Sequence, residues 1–243
     1  VGTVSASDGD TSETLTYSLS GTDEASISIN SSSGVITFNN APDYETKTSY
    51  SIIVNVSDGT NTATQALTIN ISNVNEFSPV ISSSATFSAA ENQTAVGTVT
   101  ATDGDTSETL AYSLTGTDAA SFGISSSGVI AFDSAPDYET KTSYSITVTV
   151  TDGTNSTTQS LTVNVTNVND ISPVINSSAT FSADENQTSV GTVSASDAEG
   201  DSLTYSLSGT DASAFSINSS SGVITFDSAP DYETKTSYSI TVT

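Results

Sequence analysis

The 243-residue chain reads as all-β, a tandem of seven-stranded Greek-key β-sandwiches, on three observations. The segment Ala-Pro-Asp-Tyr-Glu-Thr-Lys-Thr-Ser-Tyr-Ser-Ile begins at Ala41 and returns at Ala135 and Ala229, a spacing of 94 residues. That spacing is the length of a domain rather than of a small solenoid unit. Tyr144, Ile146, Val148 and Val150 alternate with Ser and Thr, and Leu161, Val163 and Val165 do the same, which is the period of a strand buried on one face. No stretch carries the 3.6-residue apolar period of a helix.

Pro79 to Ser172, the copy bordered on both sides by Pro-Val-Ile, contains seven β-branched runs. In order, strands are expected near Ala85–Ala89, Ala95–Ala101, Leu110–Thr115, Ser121–Ile124, Gly128–Phe132, Ser143–Thr151 and Thr157–Thr166. Asp103-Gly104 separates the second run from the third, Ser127-Gly128 the fourth from the fifth, and Asp152-Gly153 the sixth from the seventh. Such pairs are turn signals, and seven short strands in under about 100 residues suit a Greek-key sandwich. Asn-Val-Asn-(Glu/Asp)-x-Ser-Pro-Val-Ile, starting at Asn73 and Asn167, sets the borders. The expected domains are 1–79, lacking its first strand, a complete copy over 80–173, and 174–243, lacking its last strand. The chain is expected to be a window on a longer protein.

Composition narrows the chemistry. Cys, Met, Trp, His and Arg are all absent, so no disulfide framework, thiolate site or histidine base is available. Asp and Glu number 28 against 3 Lys, a net charge of -25, which repels nucleic acid and anionic membrane surfaces and favours hard cations. The alternating apolar pattern argues against a disordered Ser/Thr-rich stalk.

The positions of the acids follow from strand parity. If consecutive strands run up and down, the loops after the first and fifth strands share one pole with the end of the seventh. The loops after the second and sixth share the other pole. Glu91, Asp137, Glu139 and Asp170 fall at the first pole, and Asp103, Asp105 and Asp152 at the second, which is seven of the ten acids in Pro79–Ser172. Domains joined end to end bring unlike poles together, and such crowding is costly unless a cation neutralises it. Asp137-x-Glu139 and Asp103-x-Asp105 place both carboxylates on one face of extended backbone, about 7 Å apart. Carboxylate, amide and carbonyl oxygens from flexible loops suit calcium better than zinc, copper or magnesium.

These motifs resemble cadherin domains in the bacterial cadherin-like form. Glu91-Asn92-Gln93 resembles the acidic motif near the start of that domain, Asp103-Gly104-Asp105 its Asp-x-Asp, and Asp137-Tyr138-Glu139 its Asp-Arg-Glu. Asp152-Gly153 resembles the single aspartate before the last strand, and Asn167-Val168-Asn169-Asp170 the Asp-x-Asn-Asp-Asn linker. Phe122 to Phe132 is similar to the family's Phe-x-Ile-Asp-x-x-Thr-Gly-x-Ile segment. The resemblance covers essentially the whole chain and implies an immunoglobulin-like sandwich with calcium bridging successive domains. It implies ligands Asp43, Glu45, Asn73, Asn75, Glu76, Asp103, Asp105 and Asp152 at the first junction. At the second it implies Glu91, Asp137, Glu139, Asn167, Asn169, Asp170, Asp197 and Glu199. Asp8, Asp10 and Asp58 on one side, and Glu185, Asp231 and Glu233 on the other, are expected to face further domains. The linkers depart from the family in opening with Asn and in ending with Phe77 or Ile171, and Glu76 stands in for Asp. Asp197-Ala198-Glu199-Gly200-Asp201 is one residue shorter than the corresponding Asp103 loop.

Other readings fit less well. Asp8-Gly9-Asp10-Thr11-Ser12 cannot open an EF-hand, because the sixth and twelfth positions are Glu13 and Leu19 where Gly and Glu are needed. A glycosidase acid pair does not explain recurrence in every copy. Asp118 is expected at a turn or cap, Lys47, Lys141 and Lys235 in solvent, and Tyr112, Phe122, Phe132, Tyr138 and Tyr144 in or near the core. Asn-x-Ser/Thr sequons, as at Asn92 and Asn155, are expected by chance in so Ser/Thr-rich a chain. The expected function is a non-enzymatic, calcium-stiffened stalk segment of a large extracellular adhesin or surface filament. Its partners are calcium, neighbouring repeats and copies of itself, without nucleic acid or membrane insertion. A strand-exchanging filament subunit and a carbohydrate- or protein-binding module are the alternatives.

Overall fold

The structure is a computed structural model that describes residues 1–10, 14–105 and 108–243. Thr11, Ser12 and Glu13, which entered the EF-hand reading, lie outside the described residues. Strands account for the regular structure, with three-residue 3-10 turns at Glu24–Ser26, Ala119–Ser121 and Ala212–Ala214. The chain divides into two compact units, residues 1–85, 97–131 and 145–161 in one and 86–96, 132–144 and 162–243 in the other.

In the first unit, Ser49–Ser57 lies between Thr16–Ser20 and Thr62–Asn70, antiparallel to both. The facing sheet places Val35–Phe38 between Gly2–Thr3 and Ile27–Ile29. Ile27, Ile36, Ile52 and Val54 close the core between them, and burying a side chain of that size contributes about 1.5–3 kcal/mol. The unit also contains the pairing of Ala111–Thr115 with Thr147–Thr151. On Ser143–Thr151, Ile146, Val148 and Val150 are buried in alternation, as the sequence pattern predicts.

The second unit contains the other end of the middle repeat, where Thr86–Ala90 runs parallel to Thr162–Thr166. Its remaining sheets pair Val223–Phe226 with Ser189–Thr192 and Phe215–Ile217, Leu207–Ser208 with Thr241–Val242, and Val174–Ile175 with Ala195–Ser196. Val193, Phe215, Ile224 and Phe226 form this core, with Tyr238 edge-on to Phe226 at 5.1 Å. In the middle repeat the third strand thus joins the sixth and the seventh joins the first, leaving the second, fifth and fourth to the other sheet. The all-β sandwich is the fold.

Two strands differ from the sequence expectation. The expected run Ala95–Ala101 is interrupted into Ala95–Thr98 and Ala101–Thr102. Gly128 is the cause: at φ +80° it presses against this backbone so closely that a Cβ would meet the Val99 carbonyl oxygen at 2.3 Å. Val99 donates its N–H to the Gly128 carbonyl at 2.8 Å instead of to a strand partner. Val80–Ile81 adds a strand the alternation does not show, pairing with Ala101–Thr102. This pairing carries the Asn73–Pro79 linker across the pole where Asp103 and Asp152 lie.

Lys47 and Lys235 are not free surface lysines. Lys47 ion-pairs with Asp23 and lies 4.8 Å from the Tyr50 ring centroid, and Lys235 ion-pairs with Asp211 and lies 4.6 Å from the Tyr238 ring centroid. Asp118, expected at a turn or cap, stands at the N-cap position of its 3-10 turn without a side-chain cap bond; its carboxylate accepts the Ser145 N–H at 2.7 Å.

Candidate metal centres

In the first unit, one oxygen each from Glu45, Glu76 and Asp105 lies within 4.8 Å of the others. Backbone hydrogen bonds fix the loops that bring them there. Asp43 accepts the Glu45 N–H at 3.0 Å and the Thr46 hydroxyl at 2.8 Å, closing the turn that aims Glu45. Asp103 accepts the Asp105 N–H at 2.9 Å, and Asp105 Oδ2 accepts the Phe77 N–H at 3.0 Å. Asp152 Oδ1 accepts both Thr154 and Asn155 N–H groups at 2.6 Å. The Asn155 amide then donates to Asn75 Oδ1 at 2.9 Å and to the Phe77 carbonyl at 2.8 Å, tying the linker down.

Asp103, Asp105 and Asp152 each spend one carboxylate oxygen on these bonds and keep the other buried. Glu45 Oε1 and Oε2, Asp103 Oδ2, Asp105 Oδ1 and Asp152 Oδ2 are buried without a hydrogen-bond partner, while Asp105 and Asp152 as residues are 3% and 7% exposed. Anionic oxygens in that condition are costly unless a cation satisfies them. Loss of solvent, and then the Glu76, Asp105 and Asp43 charges, push the Glu45 carboxyl above its ordinary range. Burial works against Asp152, but the Asn155 and Thr154 N–H groups hold its carboxyl below the ordinary value.

In the second unit, Glu91 belongs to two acidic groups, one with Asp137 and Glu139 and one with Asp170 and Glu199. Glu91 is 2% exposed and accepts the Tyr138 and Val168 N–H groups, both at 2.7 Å. Glu199 takes the place of Asp105 and is longer by one methylene, so it accepts two linker amides, Asp170 at 2.6 Å and Ile171 at 3.2 Å. Burial, followed by the charges of Glu91, Asp137 and Glu199, raises the Glu139 carboxyl.

Several residues have their carboxylates or amides occupied elsewhere. Asp58 Oδ1 accepts the Thr60 and Asn61 N–H groups, and Asp8 Oδ1 accepts the Asp10 N–H. Asn167 is exposed. Glu185, Asp231 and Glu233 do converge, but all three are exposed. Sequence reasoning missed Asp201, which groups with Asp197 and Glu199 and accepts the Asn169 amide; its signal was the acid that closes the shortened loop. It also missed Asn155, and Asn92, whose amide donates to Asp170 at 2.5 Å. As sequences, both are Asn-x-Ser/Thr tripeptides, and Asn92 also stands inside the Glu91-Asn92-Gln93 motif without being a candidate ligand there.

The loops offer oxygen alone, with buried anionic atoms turned inward, and that donor set fits a hard cation such as calcium. Among known proteins, this chain is similar in sequence to animal cadherins and protocadherins. Mouse Protocadherin Fat 4 is 35% identical over 161 residues, 61% of this chain and 3% of that protein. Human Cadherin EGF LAG seven-pass G-type receptor 1 is 31% identical over 232 residues, 88% of this chain and 8% of the receptor. The chain therefore spans only a small part of these curated relatives. The bacterial form suggested by the motifs gains no support from them. The solved structure of mouse Cadherin-23 EC22-24 superposes with a TM-score of 0.70 at 26% identity, covering 93% of this chain and 80% of that one. The Protocadherin gammaB7 EC3-6 cis-dimer structure gives a TM-score of 0.70 at 28% identity, over 93% and 60%. The cadherin domain family model matches residues 1–72, 85–166 and 178–243, and with the sandwich topology repeated around the acidic loops, the chain belongs to the cadherin family.

Proposed function

We propose that this chain is a calcium-stiffened spacer of an extracellular adhesion protein, with repeat borders at 79/80 and 173/174. The observation that carries this reading is the set of buried, unpartnered oxygens on Glu45, Asp103, Asp105 and Asp152. At the first junction the residues holding calcium are Asp43, Glu45, Asn73, Asn75, Glu76, Asp103, Asp105 and Asp152. At the second they are Glu91, Asp137, Glu139, Asn167, Asn169, Asp170, Asp197 and Glu199, to which we add Asp201. Asp8, Asp10, Asp58, Glu185, Asp231 and Glu233 are proposed as halves of further junctions.

Calcium supplies positive charge and six to eight coordination positions. The protein's own part is to hold its acids where they oppose one another without it. Glu91 locks its linker by accepting Val168, and Asp105 and Glu199 do so by accepting Phe77 and Asp170. Relief of the repulsion between these carboxylates fixes linker and loops together, which restricts bending at each junction. Cadherins are adhesion proteins rather than enzymes, and their repeats act outside the cell. Among the described residues no helix is long and apolar enough to cross a membrane. The gammaB7 relative was solved as a cis-dimer, and lateral self-association is the corresponding proposal for this chain.

Small-angle scattering before and after chelation tests the spacer. The maximum dimension is expected to fall on chelation and to return when calcium is restored. An unchanged dimension contradicts calcium stiffening.

A further inference from the structure

Nine Asn-x-Ser/Thr tripeptides occur in the chain, and the structure separates two of them from the rest. Asn30 and Asn218 stand at the same place in the first and third repeats, two 94-residue periods apart. Each opens the turn that joins two antiparallel strands, Ile27–Ile29 to Val35–Phe38 and Phe215–Ile217 to Val223–Phe226. Asn30 Oδ1 accepts the Ser32 N–H at 3.0 Å and the Ser33 N–H at 2.9 Å, and Asn218 Oδ1 accepts those of Ser220 and Ser221 at the same distances. The third residue of each tripeptide thus holds the amide oxygen, and among the described residues the amide nitrogen donates no hydrogen bond. Asn30, Ser32, Asn218 and Ser220 are all exposed.

The ends of the chain do not create that exposure. The middle repeat has its linker strand Val80–Ile81 and its first strand Thr86–Ala90 in place, yet Ser125, Ser126 and Ser127 of its counterpart turn are exposed too. The third repeat likewise has Val174–Ile175 paired with Ala195–Ser196. The other seven asparagines are placed differently. The amides of Asn55, Asn92, Asn155 and Asn176 donate to Ser20, Asp170, Phe77 and Ser196. Asn164 is half-buried, Asn70 ends a strand, and Asn186 has left-handed backbone at φ 61°. Among the described residues none of these three accepts the N–H of its own third residue.

From this we infer that Asn30 and Asn218 are acceptor sites for an N-linked glycan. Carbohydrate then stands on the first and third repeats but not at this turn of the middle one, where Ser125 replaces the asparagine. The amide nitrogen is the atom that takes the sugar. Its donor is an oligosaccharide carried on a lipid pyrophosphate. A bond forms between Nδ2 and the anomeric carbon, the bond from that carbon to the phosphate oxygen breaks, and the lipid pyrophosphate leaves. One Nδ2 proton passes to a base of the transferring enzyme. The turn's side-chain hydrogen bonds span only two and three residues, so they form without the rest of the sandwich. The same nitrogen is therefore offered before and after folding.

The test is secretion of the 243-residue chain from a glycosylating eukaryotic host, with intact mass and peptide mapping before and after peptide N-glycosidase, which leaves Asp at each released site. Glycans are expected at Asn30 and Asn218, and none at Asn55, Asn92, Asn155 or Asn176. S32A and S220A keep the asparagine and the backbone N–H groups of its turn. Each is expected to lose one glycan while the circular dichroism spectrum stays unchanged. A secreted, folded chain bare at Asn30 and Asn218, or equal occupancy of the four donating asparagines, would overturn the assignment.

Discussion

The two acidic junctions are built from the same repeat yet solve the problem of charge differently. At the first, short Asp105 spends one oxygen on the Phe77 N–H and leaves the other buried and unpartnered, alongside inward oxygens of Glu45, Asp103 and Asp152. At the second, longer Glu199 reaches two linker amides, is only half-buried, and has exposed Asp201 beside it. One methylene separates a carboxylate with a buried, unpartnered oxygen from one that accepts two linker amides. Burial strengthens the electrostatic response, so the first junction is expected to bind calcium more tightly and the second to be looser in its absence.

Breaking the first junction should give the largest effect. D105A removes the buried oxygen and the acceptor for Phe77, and its calcium affinity is expected to fall more than about tenfold. The second junction should stay unchanged in the same calcium titration followed by amide NMR. E91Q acts in the reverse sense, since Glu91 serves two of the acidic groups of the second junction and holds Tyr138 and Val168. Calcium affinity there is expected to drop about tenfold, with the first junction intact. An equal loss at both junctions in either variant would show that they are not independent sites.

D201N is a smaller probe of the same contrast. Losing one exposed carboxylate should weaken only the second junction, by a few-fold, measured by the same titration. The smallest effect is expected away from the junctions. The Lys47 side chain, and then the Ser51 N–H, hold the Asp23 carboxyl below its ordinary 3.8. A depressed acid contributes stability above its unfolded pKa and loses it as pH falls through the folded value. D23N should therefore flatten the acid limb of thermal stability below that range without changing calcium affinity at either junction.

Much of this contrast was legible in the sequence. The i, i+2 acids fall at strand ends because period-two alternation places the strands, and Ile146, Val148 and Val150 bear that pattern out. The pairing of residues distant along the chain was not legible. Nothing near Val99 announces that Gly128 will press on it and interrupt its strand. Nor does Val80–Ile81 alternate enough to show the strand that seats the linker. Asn155 and Asn92 resembled chance sequons because their partners, Phe77 and Asp170, lie 78 residues away. Asp201 was hidden by a one-residue shortening of its loop, which shifts it out of register with the repeat. Lys47 and Lys235 find Asp23 and Asp211 24 residues away, across the sandwich rather than along a strand.

The carboxylates clustered at both junctions are proposed to bind calcium. The most direct test is a calcium titration of the unmodified, chelator-stripped chain, read at the Phe77 and Asp170 amides. Saturable shifts at both are expected, with Phe77 responding at lower calcium, and little response to magnesium at the same concentrations. No saturable shift at either amide, or an equal response to magnesium, would contradict it.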